Sequence, residues 1–275
     1  MFNASSPYMK PVPLWGSRAW ILVQVAGLIA LFKLDQPLFL AINRVASILP
    51  DTFWSMVTLM GDGMIVFAIF PFVFFRHHRL MVVALCLTVM ALLVIHGIKG
   101  LTDWPRPPGV LALDTFNLIG KPYTGNTFPS GHAATAVATA MLWRAVLPQR
   151  FGNWLLAAAL LVAVSRIAVG IHWPTDVLVG VAAGLMLAWA AGKRMQFVSW
   201  SDRRWVKAVL LLMLAGNAIS LFTYRHGYEL VEVPVYLLAV GSLAACIVQG
   251  FRLYFDWREE RARIRESMTL SPEQG

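Results

Sequence analysis

Hydrophobic residues run through this chain in long blocks separated by short polar stretches. A helix that crosses a bilayer needs about 20 mostly apolar residues. Stretches of that kind fall at 15–33, 53–75, 79–99, 130–148, 152–170, 174–192, 205–222 and 233–254. They predict an all-α fold, a polytopic transmembrane helix bundle of about eight spans, the first being the weakest in apolar length. Residues 35–49 are apolar on one side and carry Asn43 and Arg44, the pattern of a short helix lying on the membrane surface. No small-residue cleavage pattern follows the first apolar run, so it reads as a retained span rather than a removed signal peptide. From 256 onward charges crowd the chain, as expected of a frayed cytoplasmic helix.

Composition agrees with the pattern. Of 275 residues, 58% are hydrophobic and 13% charged, with a mean hydropathy of +0.65. That excludes an ordinary soluble domain. The net charge of +9 raises the question of a nucleic-acid partner. The cations, however, sit in short stretches between apolar runs and form no stripe beside aromatics, which points to membrane topology and to no nucleic acid. With both termini cytoplasmic, all of the 23 lysines and arginines except Lys33, Arg44, Lys99, Arg106, Lys121, Arg166 and Arg225 fall inside. Cys86 and Cys246 lie in apolar runs and read as buried thiols, without a disulfide framework or metal cluster.

Three polar segments interrupt the apolar pattern. They are Lys99 to Arg106-Pro107, Pro129-Ser130-Gly131-His132, and Ser165-Arg166 through His172 to Asp176. Charge within or beside a bilayer is expensive and usually functional. The span assignment, made from apolar length and charge alone, puts all three segments on the outer face.

Their residue types suit phosphoryl transfer, which asks mainly for positioning and for positive charge around the equatorial oxygens. Lys99, Arg106 and Arg166 supply cations, the arginines being suited to bidentate phosphate contacts. Pro107 and Pro108 end any helix there and leave Arg106 on a loop that can fold back. Ser130 stands at the N-cap position of the next apolar helix. Gly131 lets backbone approach a ligand, and the free amides of that helix start form an anion site. His132, beside it, is placed to give a proton to a leaving oxygen. His172 and Asp176 are four residues apart, with Pro174 fitting the first turn of a helix. The carboxylate can then fix the imidazole tautomer and aim its other nitrogen at phosphorus.

The motifs K-x6-R-P, P-S-G-H and S-R-x5-H-x3-D, together covering 99–176, resemble the signature of the type-2 phosphatidic acid phosphatase (PAP2) superfamily. That superfamily includes lipid phosphate phosphatases, undecaprenyl pyrophosphate phosphatases, glucose-6-phosphatases and, more distantly, vanadium haloperoxidases. The resemblance implies His172 as nucleophile forming a phosphohistidine, Asp176 as its orienter and His132 as acid for the leaving group. It implies that Lys99, Arg106 and Arg166 bind phosphate with Ser130, Gly131 and Ser165, and that no metal or other cofactor is needed. The family core has about six helices. Residues 1–200 are therefore expected to be the phosphatase core, 201–255 two additional transmembrane helices, and 256–275 a charged cytoplasmic tail.

The expected activity is hydrolysis of a terminal phosphate from a lipid phosphate or diphosphate whose tail stays in the bilayer. Undecaprenyl diphosphate, phosphatidylglycerophosphate and phosphatidate are equally compatible with the sequence. The expected place is the plasma membrane, the inner membrane in a bacterium, with the site on the outer, periplasmic face. The same site would also serve a lipid phosphotransferase, for example to lipid A. A non-catalytic lipid transporter or binding protein is the alternative outside enzymology, disfavoured by the presence of both histidines. Other polar residues carry less. Asp62 between two glycines is either beside the site or a buried acid satisfied by neighbouring helices. His96 flanks Lys99, Asn217 reads as helix–helix glue, and His77 and His78 as a solvated cytoplasmic turn. Asp103, Asp114, Tyr123 and Asn126 are candidates for substrate choice.

Overall fold

The computed structural model describes residues 15–192 and 199–269, which form ten α-helices and short 3-10 turns without a strand. The helices are α1 (Trp15–Leu31), α2 (Asp35–Ala46), α3 (Asp51–Leu59), α4 (Gly63–Ile69), α5 (Phe74–Thr102), α6 (Gly131–Val146), α7 (Gln149–Ala168), α8 (Pro174–Gly192), α9 (Arg204–Ser220) and α10 (Glu232–Thr269). All eight apolar stretches are helical, and the short helix expected over 35–49 forms as α2. By length and apolarity four helices are able to cross a membrane, or up to six if each of two bent pairs is one span. Helices α6 and α9, with 16 and 17 residues, are shorter than a straight crossing asks.

The first apolar helix turns by 106° into α2, in keeping with a span followed by a separate short helix. The stretch 53–75, expected as one span, is instead broken between α3 and α4, with a 72° bend. At that break Asp62 caps α4, its carboxylate accepting the Met64 N–H at 2.8 Å. Gly61 lets the break press against α6 and α7. A Cβ there would stand 2.7 Å from Val162 Cγ1 and 3.0 Å from both Cβ and O of His132. The charged tail continues α10 as helix to Thr269. Residues 1–14, the basic pair Lys193 and Arg194, and 270–275, which enter the expectations about inside charge and the tail, lie outside the described residues.

The core is built from small residues and close helix crossings. Gly180 and Gly184 of α8 face α6, where a Cβ would meet Ser130 O at 2.5 Å and Ala134 O at 2.6 Å, respectively. Such spacing lets membrane helices approach at backbone distance. Val137, Met141, Ala163, Val181 and Ala188 bring α6, α7 and α8 together in one cluster. The C-terminal pair shares cores with the rest. Leu210, Leu214 and Cys246 pack with Phe74 and Leu87, and Leu221, Val235 and Ala239 pack with Trp54, Ile65 and Val169. Asn217 donates to Met64 O at 3.0 Å, joining α9 to α4. Leu93, Leu212 and Leu237 are 70%, 73% and 68% exposed, an apolar exterior suited to lipid and not to water.

Two expectations are corrected. Cys246 is buried but Cys86 is exposed on α5, because the outward side of a spanning helix is as apolar as its core side. His78 and Arg79 are not a freely solvated turn. Both engage Asp202, His78 Nε2 at 2.8 Å and Arg79 Nε at 2.9 Å, while the His77 ring meets Trp143 edge-on with centroids 5.2 Å apart. Arg79 and then His78 hold the Asp202 carboxyl down, at a pKa of about 2.

Candidate active site

The polar segments converge at one end of the bundle, where α5 stops and α6 and α8 start. Lys99 occupies the last turn of α5, and Asp103 closes the helix in the left-handed conformation at φ 37°. The chain then loops out to Ser130. Within that loop Arg106 folds back, its N–H donating to Thr124 O at 2.7 Å. Its Nε donates to Gly125 O at 2.9 Å and its Nη1 to Ile171 O at 3.1 Å. Lys99 Nζ donates to Asn126 O at 2.5 Å. Carbonyls of the 124–126 stretch thus aim two cations inward. The Tyr123 ring lies 5.7 Å from the Arg106 guanidinium carbon.

His172 sits in the turn between α7 and α8. Gly170 makes that turn at φ +84°, close against Asn117, whose carbonyl would lie 2.8 Å from an added Cβ. Asn43 of α2 braces the same turn. Its amide donates to Asn117 O and Ala168 O at 2.8 and 3.0 Å and accepts from Asn117 N at 2.8 Å. His172 Nδ1 is 3.2 Å from Asp176 Oδ2, which also accepts from Trp173 N at 2.8 Å and from the Thr127 hydroxyl. The Thr127 hydroxyl oxygen is 3.1 Å from Nδ1. A carboxylate only accepts, so this network assigns the proton to Nδ1 and the lone pair to Nε2. Arg106 Nη1 stands 3.3 Å from that Nε2. Burial first, then the positive charges of Arg106, Arg166 and Lys99, hold the His172 pKa well below the ordinary histidine value. These effects favour the neutral imidazole, whose Nε2 keeps its lone pair.

Ser130 occupies the N-cap position of α6, with one correction to its expected role: its hydroxyl makes no capping bond. Its N–H is instead committed to Asp176 O at 3.0 Å, tying the starts of α6 and α8 together. The hydroxyl is buried without a hydrogen-bond partner among the described residues, and so is Arg166 Nε. Both are donors suited to an anionic oxygen. Arg166 Nη1 donates to the Thr58 hydroxyl and, at 3.2 Å, to Tyr228 Oη. Ser165 is buried and its hydroxyl donates to Val162 O at 2.6 Å, within its own helix. His132 Nε2 lies 3.8 Å from Asp62 Oδ2. Gly131 opens α6 with only Ile95 near its Cβ position, at 3.9 Å. Among the described residues no group of three His, Cys, Asp or Glu is arranged to hold a metal ion. Positive charge at the site comes from Lys99, Arg106, Arg166 and the amides of the α6 start.

Of the sequence-derived residues, Arg106, His172 and Asp176 meet directly, the Ser130 N–H joins Asp176 O, and Lys99 and Arg106 share the Asn126 carbonyl. The charges of Lys99, Arg106 and Arg166 reach both His132 and His172. Gly131 and Ser165 are their sequence neighbours, Ser165 turned into its own helix. His96 turns to Leu92 O at 3.0 Å and is exposed, and Asp103 and Asp114 are exposed on the loop between α5 and α6. Asn126 contributes its backbone carbonyl. Sequence reasoning missed Thr127, Thr58, Tyr224 and Tyr228. A threonine five residues before His132, a threonine inside an apolar run and tyrosines in a distant loop carry no periodic or motif signal. Asp62 lies beside the site, 3.8 Å from His132 Nε2, and is satisfied by its own helix and by Tyr224 of the α9–α10 loop rather than by neighbouring helices.

Residues 77–200 match the model of the PAP2 superfamily. The crystal structure of Aquifex aeolicus LpxE is similar to this chain, with a TM-score of 0.53 and 26% identity over 58% of this chain and 95% of that one. A structure described as the first transmembrane PAP2 type phosphatidylglycerolphosphate phosphatase, from Bacillus subtilis, has a TM-score of 0.48 and 21% identity over 65% of this chain and 94% of that one. No curated protein sequence matches.

Proposed function

We propose that this chain, whose residues 77–200 match the model of the PAP2 superfamily, is a membrane phosphatase that removes the terminal phosphate of a lipid phosphate or diphosphate through a phosphohistidine at His172. The observation that carries the proposal is the His172 ring, with Nδ1 on Asp176 and Nε2 facing Arg106. The Nε2 lone pair attacks phosphorus while the bond to the lipid oxygen breaks, and His132 gives that oxygen its proton. Lys99, Arg106, Arg166, Ser130 and the first amides of α6 take up the charge on the equatorial oxygens. Water, deprotonated by the now neutral His132, then attacks the phosphohistidine, releasing phosphate and restoring both imidazoles. Ser165 serves the site through the α7 turn that holds Arg166.

The substrate class follows from the setting. A bundle with an apolar exterior presents its polar end where a lipid headgroup lies, so the tail can remain in the bilayer while the headgroup enters sideways. Undecaprenyl diphosphate, phosphatidylglycerophosphate and phosphatidate all meet this description. The charge distribution favours a plasma membrane location with the site on the outer face. In this reading residues 1–200 form the catalytic core.

The test is phosphate release from these lipids by purified protein, with and without chelator, and mass-spectrometric capture of the acid-labile phosphohistidine. His172→Ala, inserted normally, should release no phosphate and carry no phosphoryl group. Turnover by that variant would remove His172 as nucleophile.

A further inference from the structure

Helices α9 and α10 lie beyond the matched segment, yet the loop joining them reaches the catalytic end. Tyr228 Oη meets Arg166 Nη1 at 3.2 Å. Tyr224 donates its hydroxyl to Asp62 Oδ2 at 2.5 Å. The loop is seated rather than draped. Gly120, at φ +86°, passes so close that a Cβ would lie 2.6 Å from Gly227 O. Leu221, Tyr228 and Val231 are buried in one cluster with Ile119, Val169 and Ile171, the last adjoining His172.

Asp62 stands between this loop and His132. It is 6% exposed. Its Oδ1 accepts from Met64 N, and its Oδ2 both accepts from Tyr224 and lies 3.8 Å from His132 Nε2, within ion-pair range and just beyond a hydrogen bond. Lys99, Arg106 and Arg166 surround His132 with positive charge. An imidazolium in that setting needs a compensating carboxylate, as a buried charge is costly unless paired. Asp176 is paired with the other imidazole, its Oδ2 engaged by Thr127, Trp173 and His172, and the carboxylate within ion-pair range of His132 is Asp62. Burial and then the Asp62 charge push the Tyr224 pKa up, so its hydroxyl stays protonated and keeps donating.

We propose that Asp62 and Tyr224 are positioning residues for the proton donor: Asp62 orients and charge-balances His132, Tyr224 holds Asp62, and the α9–α10 loop thereby completes the leaving-group half of the site. This rests on the reading of His132 as the acid. In the step concerned, the His172 Nε2–P bond forms as the P–O bond to the lipid breaks. The electron pair leaves on that oxygen, and the second ring proton of the His132 imidazolium, not the one facing Asp62, neutralises it.

A leaving group that needs no proton separates this role from simple support of the fold. The comparison is kcat on a short-chain phosphatidate, whose alkoxide must be protonated, against p-nitrophenyl phosphate, whose phenolate need not be. Asp62→Asn still offers an oxygen to Met64 N, so α4 keeps its cap. It should lower kcat on phosphatidate by about 30-fold at unchanged KM and on the aryl phosphate by no more than about threefold, less than the about 10²–10⁴-fold that the general acid itself contributes. Tyr224→Phe should show the same selectivity at about three- to tenfold. His132→Ala is the reference and should show the largest alkyl-over-aryl loss. Selective loss in His132→Ala with an equal or absent effect in Asp62→Asn would overturn the positioning role while leaving the acid assignment standing. Equal loss on both substrates in His132→Ala would overturn the acid assignment and this inference with it.

Discussion

Arg106 Nη1 lies 3.3 Å from His172 Nε2 while the same guanidinium is anchored on Gly125 O and Ile171 O. The cation from the first motif is therefore fixed at the lone pair of the imidazole from the third, 66 residues away in sequence. A phosphoryl group approaching Nε2 meets Arg106 first.

Arg106→Ala should lower kcat/KM for phosphate release by about 10²–10³-fold, the usual cost of removing one preorganised donor to a developing oxyanion. Arg106→Lys should recover little of it. A lysine is a point charge and cannot reach Gly125 O, Ile171 O and the phosphate together. Steady-state kinetics on both variants checks this, and full recovery by lysine would show that charge alone matters there.

Thr127→Val should reduce kcat by about 10–100-fold with little change in KM. It deletes the hydroxyl that donates to Asp176 and sits 3.1 Å from His172 Nδ1, and loss of such an orienting partner typically costs that much. Thermal stability in detergent should change far less than activity, because the substitution keeps volume and β-branching.

The acid limb of kcat/KM should lie below the ordinary histidine range. The native pKa of His172 is lowered, so as pH falls through that range the imidazole stays unprotonated and attack persists. Activity is lost only once the depressed value is passed. Burial is the first cause and the Arg106 charge the second. Removing that charge should therefore move the limb upward, measurable in the residual activity of Arg106→Ala. An unmoved limb would assign it to another group.

Gly180→Ala should impair both folding and turnover, since the new Cβ would sit 2.5 Å from the backbone oxygen of Ser130, at the start of α6. Gly27→Ala is the control. Nothing lies within 4 Å of its Cβ position, and replacing a helical glycine should add about 0.5–1 kcal/mol. Melting temperatures of the two variants should move in opposite directions, while activity should fall in Gly180→Ala and stay unchanged in Gly27→Ala.

Much of this was legible in the chain. Long apolar runs have one inexpensive solution in lipid, the helix, so the positions of the spans follow from composition. Pro174 fell at the first helical residue of α8, where its missing N–H costs nothing. The motif residues were legible because charged groups among apolar ones have few bland explanations. Thr127, Thr58, Tyr224 and Tyr228 were not, because a hydroxyl in a loop or an apolar helix becomes significant only through what it touches.

The sequence by itself determined which residues are too costly to bury without purpose, and in what order they come: Lys99, Arg106, His132, Arg166, His172 and Asp176. Tertiary structure alone decided who meets whom. Helix propensity and hydropathy are local and carry no information about contacts across 100 or 160 residues. The bend at Asp62 and the seating of the α9–α10 loop depend on backbone approaches at Gly61 and Gly120 that no local pattern announces. Through them a tyrosine 162 residues away reaches the carboxylate beside His132.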